Sequence, residues 1–118
     1  MQQITLGKTE LSVSPLGYGA APLGFLDTEI ENVGRVLNFL LDHGVTLLDT
    51  AAAYKGSEEA IGQTVGHRRD DFVLVSKCGM GGVEAAEVDN DPWHPGAIGL
   101  TIDRSLERRK TDHLDVCL

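Results

Sequence analysis

Basic residues, cysteines and long apolar runs are all scarce in this sequence. Ten Lys and Arg stand against eighteen Asp and Glu, so the 118 residues carry a net charge of −8. Because an acidic surface repels phosphate groups, we expect neither a nucleic-acid partner nor binding to an anionic membrane. No apolar run approaches the roughly 18 residues of a bilayer-crossing helix, so we also expect no membrane span.

The two cysteines, Cys78 and Cys117, lack the CxxC spacing of a metal or redox motif. We expect them to be reduced thiols of an intracellular protein. The N-terminal sequence MQQIT also lacks the basic stretch and apolar core of a secretory signal, so the expected compartment is the cytoplasm. A chain of this length holds at most one domain.

Turn residues and apolar runs divide the chain into alternating strands and helices. Residues 3–16 alternate weakly around a Gly-Lys-Thr-Glu turn, which predicts a β-hairpin. The strands predicted after it cover residues 16–24 (ending in a Gly/Pro loop), 45–48, 72–76 and 113–118. The helices predicted between them cover residues 28–44, a segment from residue 57, and 95–110.

The predicted strands are continuous apolar runs, which is typical of a parallel sheet covered by helices in an α/β protein. The last run still continues at residue 118. We therefore expect a truncated TIM barrel, a (β/α)8 fold that needs about 250 residues when complete. Residues 1–118 would be the N-terminal part of one barrel domain, with its hairpin and first four strands.

The last predicted helix places Ile98, Ile102 and Leu106 on its inward face, with Arg109 next on the same stripe. Burial of an unpaired guanidinium is costly, so Arg109 should reach solvent or pair with a carboxylate. A phosphate-binding role is the alternative, but the end of this helix is at the non-catalytic end of a barrel.

Ionisable residues follow two of the predicted strands, at the point where each strand ends. Asp49 comes directly after residues 45–48, and Lys77 directly after residues 72–76. The carboxyl ends of barrel strands form the catalytic face, so these side chains are expected near each other. Tyr54 lies on the loop that follows Asp49. Each residue taken singly is more often a cap or a packing residue, but the three together predict an acid–base site.

Tyr54 is suited to donate a proton to a carbonyl oxygen as hydride reaches the carbon. A free phenol titrates at about 10, too high for efficient proton transfer at neutral pH. A neighbouring ammonium group favours the ionised phenol, so Lys77 would assist this transfer. Asp49 would hold Lys77 in place and keep it charged.

Five separated blocks of the sequence resemble the aldo-keto reductase family, in the family's order. They are residues 11–17 (LSVSPLG), 49–54 (DTAAAY), 56–62 (GSEEAIG), 75–77 (VSK) and 105–115 (SLERRKTDHLD). Residues 19–24 (GAAPLG) are similar to the branch that includes sugar dehydrogenases. The resemblance covers nearly the whole chain.

The resemblance implies an enzyme on a TIM barrel that reduces aldehydes and ketones, or oxidises alcohols, with NADP(H) and less often NAD(H). The substrate would be a small carbonyl compound or a sugar-like molecule. Three of the family's four catalytic residues, an Asp, a Tyr and a Lys, correspond to Asp49, Tyr54 and Lys77. The residues expected near the nicotinamide are Gly19, Ala20, Asp49 and Thr50.

The family's fourth catalytic residue, a His after the fourth strand, has no counterpart in residues 1–118. We expect the four histidines that are present to be structural or solvent-facing; they are His43, His67, His94 and His113. The family's adenine and phosphate ligands belong to the second half of the barrel. We therefore expect the 118-residue chain to be inactive on its own.

Two other functions stay open at this stage. One is a non-catalytic binding or regulatory protein on a partial barrel, a role that some family members have. Unpaired first and fourth strands would favour association, including self-association. The other is a different βα barrel with a phosphate site, although the GxxxxGK[ST] motif is absent.

The loop before the last helix is acidic. Its carboxylates are Glu84, Glu87, Asp89 and Asp91. They lack the spacing and the central glycine of an EF-hand, so a solvated loop over the active-site mouth is expected, and no metal site. Trp93 would line the substrate pocket or anchor this loop on the barrel.

Overall fold

The computed structural model describes residues 1–26, 28–79 and 91–118. Its first element is a hairpin of two short antiparallel strands, β1 (Ile4–Thr5) and β2 (Ser12–Val13). Gly7 in the turn has a φ of +57°, a left-handed conformation that glycine adopts at little cost. The predicted hairpin is therefore confirmed.

A parallel sheet follows, with its strands in the order β3-β4-β5-β6. The strands are β3 (Gly17–Gly19), β4 (Leu47–Asp49), β5 (Val73–Ser76) and β6 (Val116–Cys117). Gly19, Asp49 and Val75 lie side by side in the register, so three strands reach their C-terminal ends at one edge. The predicted parallel sheet is confirmed, and each strand is shorter than the apolar run that predicted it.

Helices connect the strands. α1 (Ala21–Phe25) and α2 (Ile30–Asp42) lie between β3 and β4, α3 (Ser57–Val65) follows β4, and α4 (Pro95–Arg109) precedes β6. A 3₁₀ helix, Gly66–Asp71, leads α3 into β5. In the part of the chain that the structure describes, no helix is long and apolar enough to cross a membrane. The core between sheet and helices includes Val33, Leu37, Leu48, Ile61, Val65 and Leu74.

The short helix α1 occupies a segment that the sequence predicts as a Gly/Pro loop. Pro22 falls in its first turn, where the missing N–H of proline leaves no hydrogen bond unmade. Five residues are too few to show a helical period, so the prediction of a loop here is wrong for a physical reason.

The face that α4 buries also differs from the prediction. Its fully buried residues are Ala97, Thr101, Ser105 and Arg109. The predicted inward residues Ile98, Ile102 and Leu106 are only partly buried. α3 approaches so closely that a Cβ on Gly62 would lie 2.3 Å from the Arg108 carbonyl oxygen. Ala97, Thr101 and Ser105 are small, while Arg109 is buried on the same face, so the packing against α3 outweighs the apolar stripe.

The hairpin is attached to the N-terminal end of the sheet. The Ser14 N–H donates to Thr46 Oγ1 at 3.0 Å, and the Thr46 N–H donates to Ser14 Oγ at 2.8 Å. Thr46 immediately precedes β4, so the hairpin lies at the end of the sheet opposite to Asp49 and Lys77.

Candidate active site

Lys77 and Asp49 form an ion pair at the C-terminal edge of the sheet. Asp49 is the last residue of β4 and Lys77 follows β5, so the neighbouring strands bring the two side chains together. Lys77 Nζ donates to Asp49 Oδ1 and, at 3.0 Å, to the carbonyl oxygen of Thr50. The side chains are 34% and 49% exposed, respectively, so solvent and ligands can reach both.

Tyr54 lies beside this ion pair, on the turn that leads from β4 into α3. Lys77 Nζ is 5.3 Å from the centroid of the Tyr54 ring. On another side the Phe25 ring meets the Tyr54 ring edge-on, with centroids 5.9 Å apart. The structure thus brings together all three residues that the sequence predicts to be catalytic.

Two buried hydroxyl groups connect the turn that carries Tyr54 to the segment after β3. Ser57 Oγ donates to the Ala20 carbonyl oxygen at 2.8 Å and lies 2.8 Å from Thr50 Oγ1. Since the single Ser57 hydroxyl proton is used on Ala20, the Thr50 hydroxyl is the donor to Ser57. The Ser57 N–H also donates to the Tyr54 carbonyl oxygen at 2.9 Å. Ser57 is therefore a shared anchor of two segments, the one after β3 and the turn between β4 and α3, and nothing in the sequence indicated this role.

The four residues expected at the nicotinamide fall into two groups. Gly19 is exposed and Asp49 half-buried at the edge of the sheet, and a Cβ on Gly19 would have no neighbour within 4 Å. Ala20 and Thr50 are fully buried, with 0% exposure. Their polar groups bond within the protein, since the Ala20 N–H donates to Asp49 O at 2.7 Å and the Thr50 N–H to Val75 O at 2.9 Å. Gly19 and Asp49 are thus the two of the four that are accessible from solvent.

The Arg109 side chain is buried and pairs with the carboxylate of Glu58. Arg109 Nη2 lies 2.5 Å from Glu58 Oε1, and both side chains are 1% exposed. Glu58 also accepts from Ser76 Oγ, Ser105 Oγ and Arg108 Nη1, at 3.1–3.2 Å. Burial lowers the pKa of the Arg109 guanidinium, and the Glu58 carboxylate opposes that shift. The expectation of a carboxylate partner is confirmed, although the sequence did not show which carboxylate.

Three of the four histidines make contacts outside this cluster, and His67 is exposed. His94 caps α4, because its Nδ1 accepts from the Gly96 N–H at 3.1 Å. His43 stacks on Phe39, and His113 Nδ1 lies 2.7 Å from the exposed Asp112 carboxylate. Hydrogen bonding to His113 lowers the pKa of Asp112.

Trp93 lies against the loop that follows Lys77. A Cβ on Gly79 would lie 2.5 Å from the Trp93 ring, and Gly79 has a φ of +88°, so glycine is required here both by space and by backbone. The Trp93 side chain is also largely exposed. Of the predicted acidic loop, Glu84, Glu87 and Asp89 lie outside the described residues.

The model of the aldo/keto reductase family matches residues 15–118. The chain belongs to this family. Within the family it is 32% identical to the uncharacterized oxidoreductase YqkF of Bacillus subtilis, over 98% of this chain and 38% of that protein. The chain therefore spans about two fifths of the length of this relative.

Solved aldo-keto reductase structures share the fold described above. A putative aldo-keto reductase from Pseudomonas aeruginosa superposes with a TM-score of 0.87 at 32% identity, covering 98% of this chain and 45% of that one. An aldo-keto reductase from Klebsiella pneumoniae, solved in complex with NADPH, has a TM-score of 0.73 at 33% identity. The match covers 90% of this chain and 34% of the Klebsiella chain.

Proposed function

We propose that the protein is an NADP(H)-dependent oxidoreductase, with NAD(H) as an alternative cofactor, that interconverts a small carbonyl or sugar-like compound and its alcohol. The observation that carries the proposal is the arrangement of Tyr54 beside Lys77, which is itself paired with Asp49. A phenol next to a fixed ammonium group is suited to donate a proton to a developing alkoxide.

The strand ends fit the nicotinamide end of such a cofactor. Gly19 has open space where a side chain would be, so a flat ring can approach the backbone there. Asp49 lies beside Gly19 on the neighbouring strand, and Lys77 is paired with Asp49. Membership of the family and the NADPH complex of the Klebsiella relative support NADP(H) as the cofactor.

The roles of the three side chains follow from their contacts. The nicotinamide, when bound, supplies the hydride that the carbonyl carbon accepts. Tyr54 donates its phenolic proton to the carbonyl oxygen. Lys77 stabilises the negative charge left on the phenol, and its bonds to Asp49 and to the Thr50 carbonyl oxygen hold its ammonium group in position. The fourth residue of the family's catalytic set is supplied, in this proposal, from outside residues 1–118.

Replacement of Tyr54 by Phe tests the proposal, with the protein expressed from its complete gene. The variant keeps the ring but loses the proton, so we expect kcat/KM for NADPH-dependent aldehyde reduction to fall by about 100-fold or more. NADPH binding, measured by fluorescence titration, should be unchanged. Tyr18→Phe is the matched control. Tyr18 packs against the core, so its replacement should leave the rate unaltered. Wild-type activity in Tyr54→Phe would show that the assigned role is wrong.

A non-catalytic binding role is the second candidate, and the open sheet favours it. In the described ranges β3 pairs with β4 alone and β6 with β5 alone. If the purified protein binds NADPH but reduces no aldehyde or ketone, the binding role is correct and the proposed reductase activity is wrong.

We further propose that residues 1–118 are the N-terminal part of one TIM barrel domain and that the protein works in the cytoplasm. Cys78 and Cys117 are both free thiols in the described structure, as a reducing compartment would keep them. Partial burial and, to a smaller extent, the neighbouring Cys78 thiol raise the pKa of Cys117.

A further inference from the structure

The helix α1 touches the turn that carries Tyr54 through backbone atoms. A Cβ built on Gly24 would lie 2.4 Å from the Lys55 carbonyl oxygen and 2.9 Å from the Tyr54 carbonyl carbon. Real Cβ atoms do not approach backbone so closely, and a peptide group has no rotamer that moves it away. Glycine at this position therefore allows α1 and the Tyr54 turn to meet directly.

The next residue of α1 contacts the Tyr54 side chain itself. The Phe25 ring meets the Tyr54 ring at 63° with centroids 5.9 Å apart, an edge-to-face geometry that aromatic pairs favour. Lys77 Nζ is also near the Tyr54 ring, 5.3 Å from its centroid. Phe25 is otherwise 67% exposed, so its contact with Tyr54 is not a by-product of burial in the core.

The N-terminal end of α1 is tied to the same turn. Ala20, which precedes the helix, accepts a hydrogen bond from Ser57 Oγ, while the Ser57 N–H donates to Tyr54 O. α1 therefore contacts the Tyr54 turn at both of its ends, through Ala20 at the start and through Gly24 and Phe25 at the finish.

We propose that α1 is a positioning element for the Tyr54 phenol, and that Gly24 and Phe25 are its positioning residues. This proposal rests on the proposed function, since the phenol matters only if it transfers a proton. An added methyl group at Gly24 would push the turn away from α1. A misplacement of about 1 Å can cost roughly 100-fold in rate, because proton transfer depends steeply on geometry.

Kinetics of Gly24→Ala give the first test, in the protein expressed from its complete gene. We expect kcat for NADPH-dependent aldehyde reduction to fall by about 10-fold to 100-fold, with little change in NADPH affinity. Gly99→Ala is the matched control, because a Cβ there meets nothing within 4 Å, and kcat should be unchanged. Equal kcat for Gly24→Ala and wild type would overturn the proposal.

Fluorine NMR provides a test that needs no catalysis. Residues 1–118 contain two tyrosines, Tyr18 and Tyr54. The protein from the complete gene is labelled with 3-fluorotyrosine, and the variants Tyr18→Phe and Tyr54→Phe assign the resonances of these two residues. We expect Gly24→Ala to move the Tyr54 resonance and leave that of Tyr18 in place. Gly99→Ala should move neither.

Phe25→Leu keeps the proposal testable if Gly24→Ala does not fold. Phe25 is exposed, so this variant should keep the wild-type melting temperature, move the Tyr54 resonance and lower kcat. An unmoved Tyr54 resonance in a folded Phe25→Leu variant would overturn the positioning role. A moved resonance in a protein without reductase activity would support the contact and refute the proposed function, so the two failures are distinguishable.

Discussion

Lys110 ends α4 in a backbone conformation that side chains disfavour. Its φ of 53° and ψ of 45° lie in the left-handed region, and it is the one non-glycine residue with positive φ among those that the structure describes. The conformation lets its N–H bond to the Leu106 and Glu107 carbonyl oxygens, which closes the end of the helix. Such helix ends usually carry glycine, which adopts left-handed φ values without steric cost.

Replacement of Lys110 by Gly should therefore stabilise the protein. We expect a gain of about 1 kcal/mol in the free energy of unfolding, the usual cost of a left-handed L-residue. Urea denaturation measures it, and Lys110→Ala serves as the control, because alanine retains the Cβ and should give no comparable gain. A Lys110→Gly variant less stable than Lys110→Ala would contradict this account.

At the scale of single residues, the sequence predicted which side chains meet at the sheet edge, but not the residues that support them. Asp49 and Lys77 were predictable because strand ends converge at one edge of a parallel sheet. Ser57 was predictable as a helix start, but not as a shared anchor, since its partner Ala20 is 37 positions away. Contacts at such separations depend on how whole elements pack.

Among the elements, α3, α4 and β5 are joined by one buried carboxylate. Glu58 in the first turn of α3 accepts from Arg109 and Ser105 on α4 and from Ser76 on β5. Ser76 directly precedes Lys77, so this cluster fixes the strand end that carries the ammonium group of the site. A buried ion pair of this kind adds little net stability, but its disruption leaves one charge uncompensated.

The variant Glu58→Gln removes the charge with little change of shape. We expect a loss of about 3 kcal/mol in unfolding free energy, because the Arg109 guanidinium stays buried without a counter-charge. Glu59→Gln is the neighbouring control: its carboxylate is 43% exposed and pairs with Arg108, so the change should stay within about 1 kcal/mol. Chemical denaturation measures the unfolding free energy of both variants. Similar losses would contradict the expectation that disruption of the buried pair costs more than disruption of the exposed one.

The helices show where sequence periodicity fails at this scale. α2 and α3 both lie within the segments predicted to be helical, residues 28–44 and the segment from residue 57. The buried face of α4 was not predicted, because the close approach of α3 at Gly62 and the buried pair of Glu58 with Arg109 decide which side of α4 faces inward. α1 was not predicted, because five residues are too few to show the helical periodicity of apolar side chains.

The whole molecule is a parallel sheet with two open edges in its described part. β3 and β6 each have one hydrogen-bonded neighbour, and strands left so exposed are templates for pairing with another chain. Edge pairing between copies would cover these edges, as barrel closure would in a longer chain.

We therefore predict that the isolated 118-residue chain self-associates. Light scattering at micromolar concentration should give a mass well above the 12.7 kDa of one chain. Leu118→Lys adds a charge beside the β6 edge at a residue 65% exposed, so it should lower the association. A monodisperse monomer for the unmodified chain would contradict the prediction.

The central claim is hydride transfer to a carbonyl assisted by Tyr54, and isotope transfer measures it most directly. The protein from the complete gene is incubated with an aldehyde and NADPH that carries deuterium at the transferring C4 position, and the alcohol is analysed by mass spectrometry. The account predicts one deuterium on the alcohol carbon with wild type, and almost no product with Tyr54→Phe. An alcohol without deuterium, or equal product from both proteins, would contradict it.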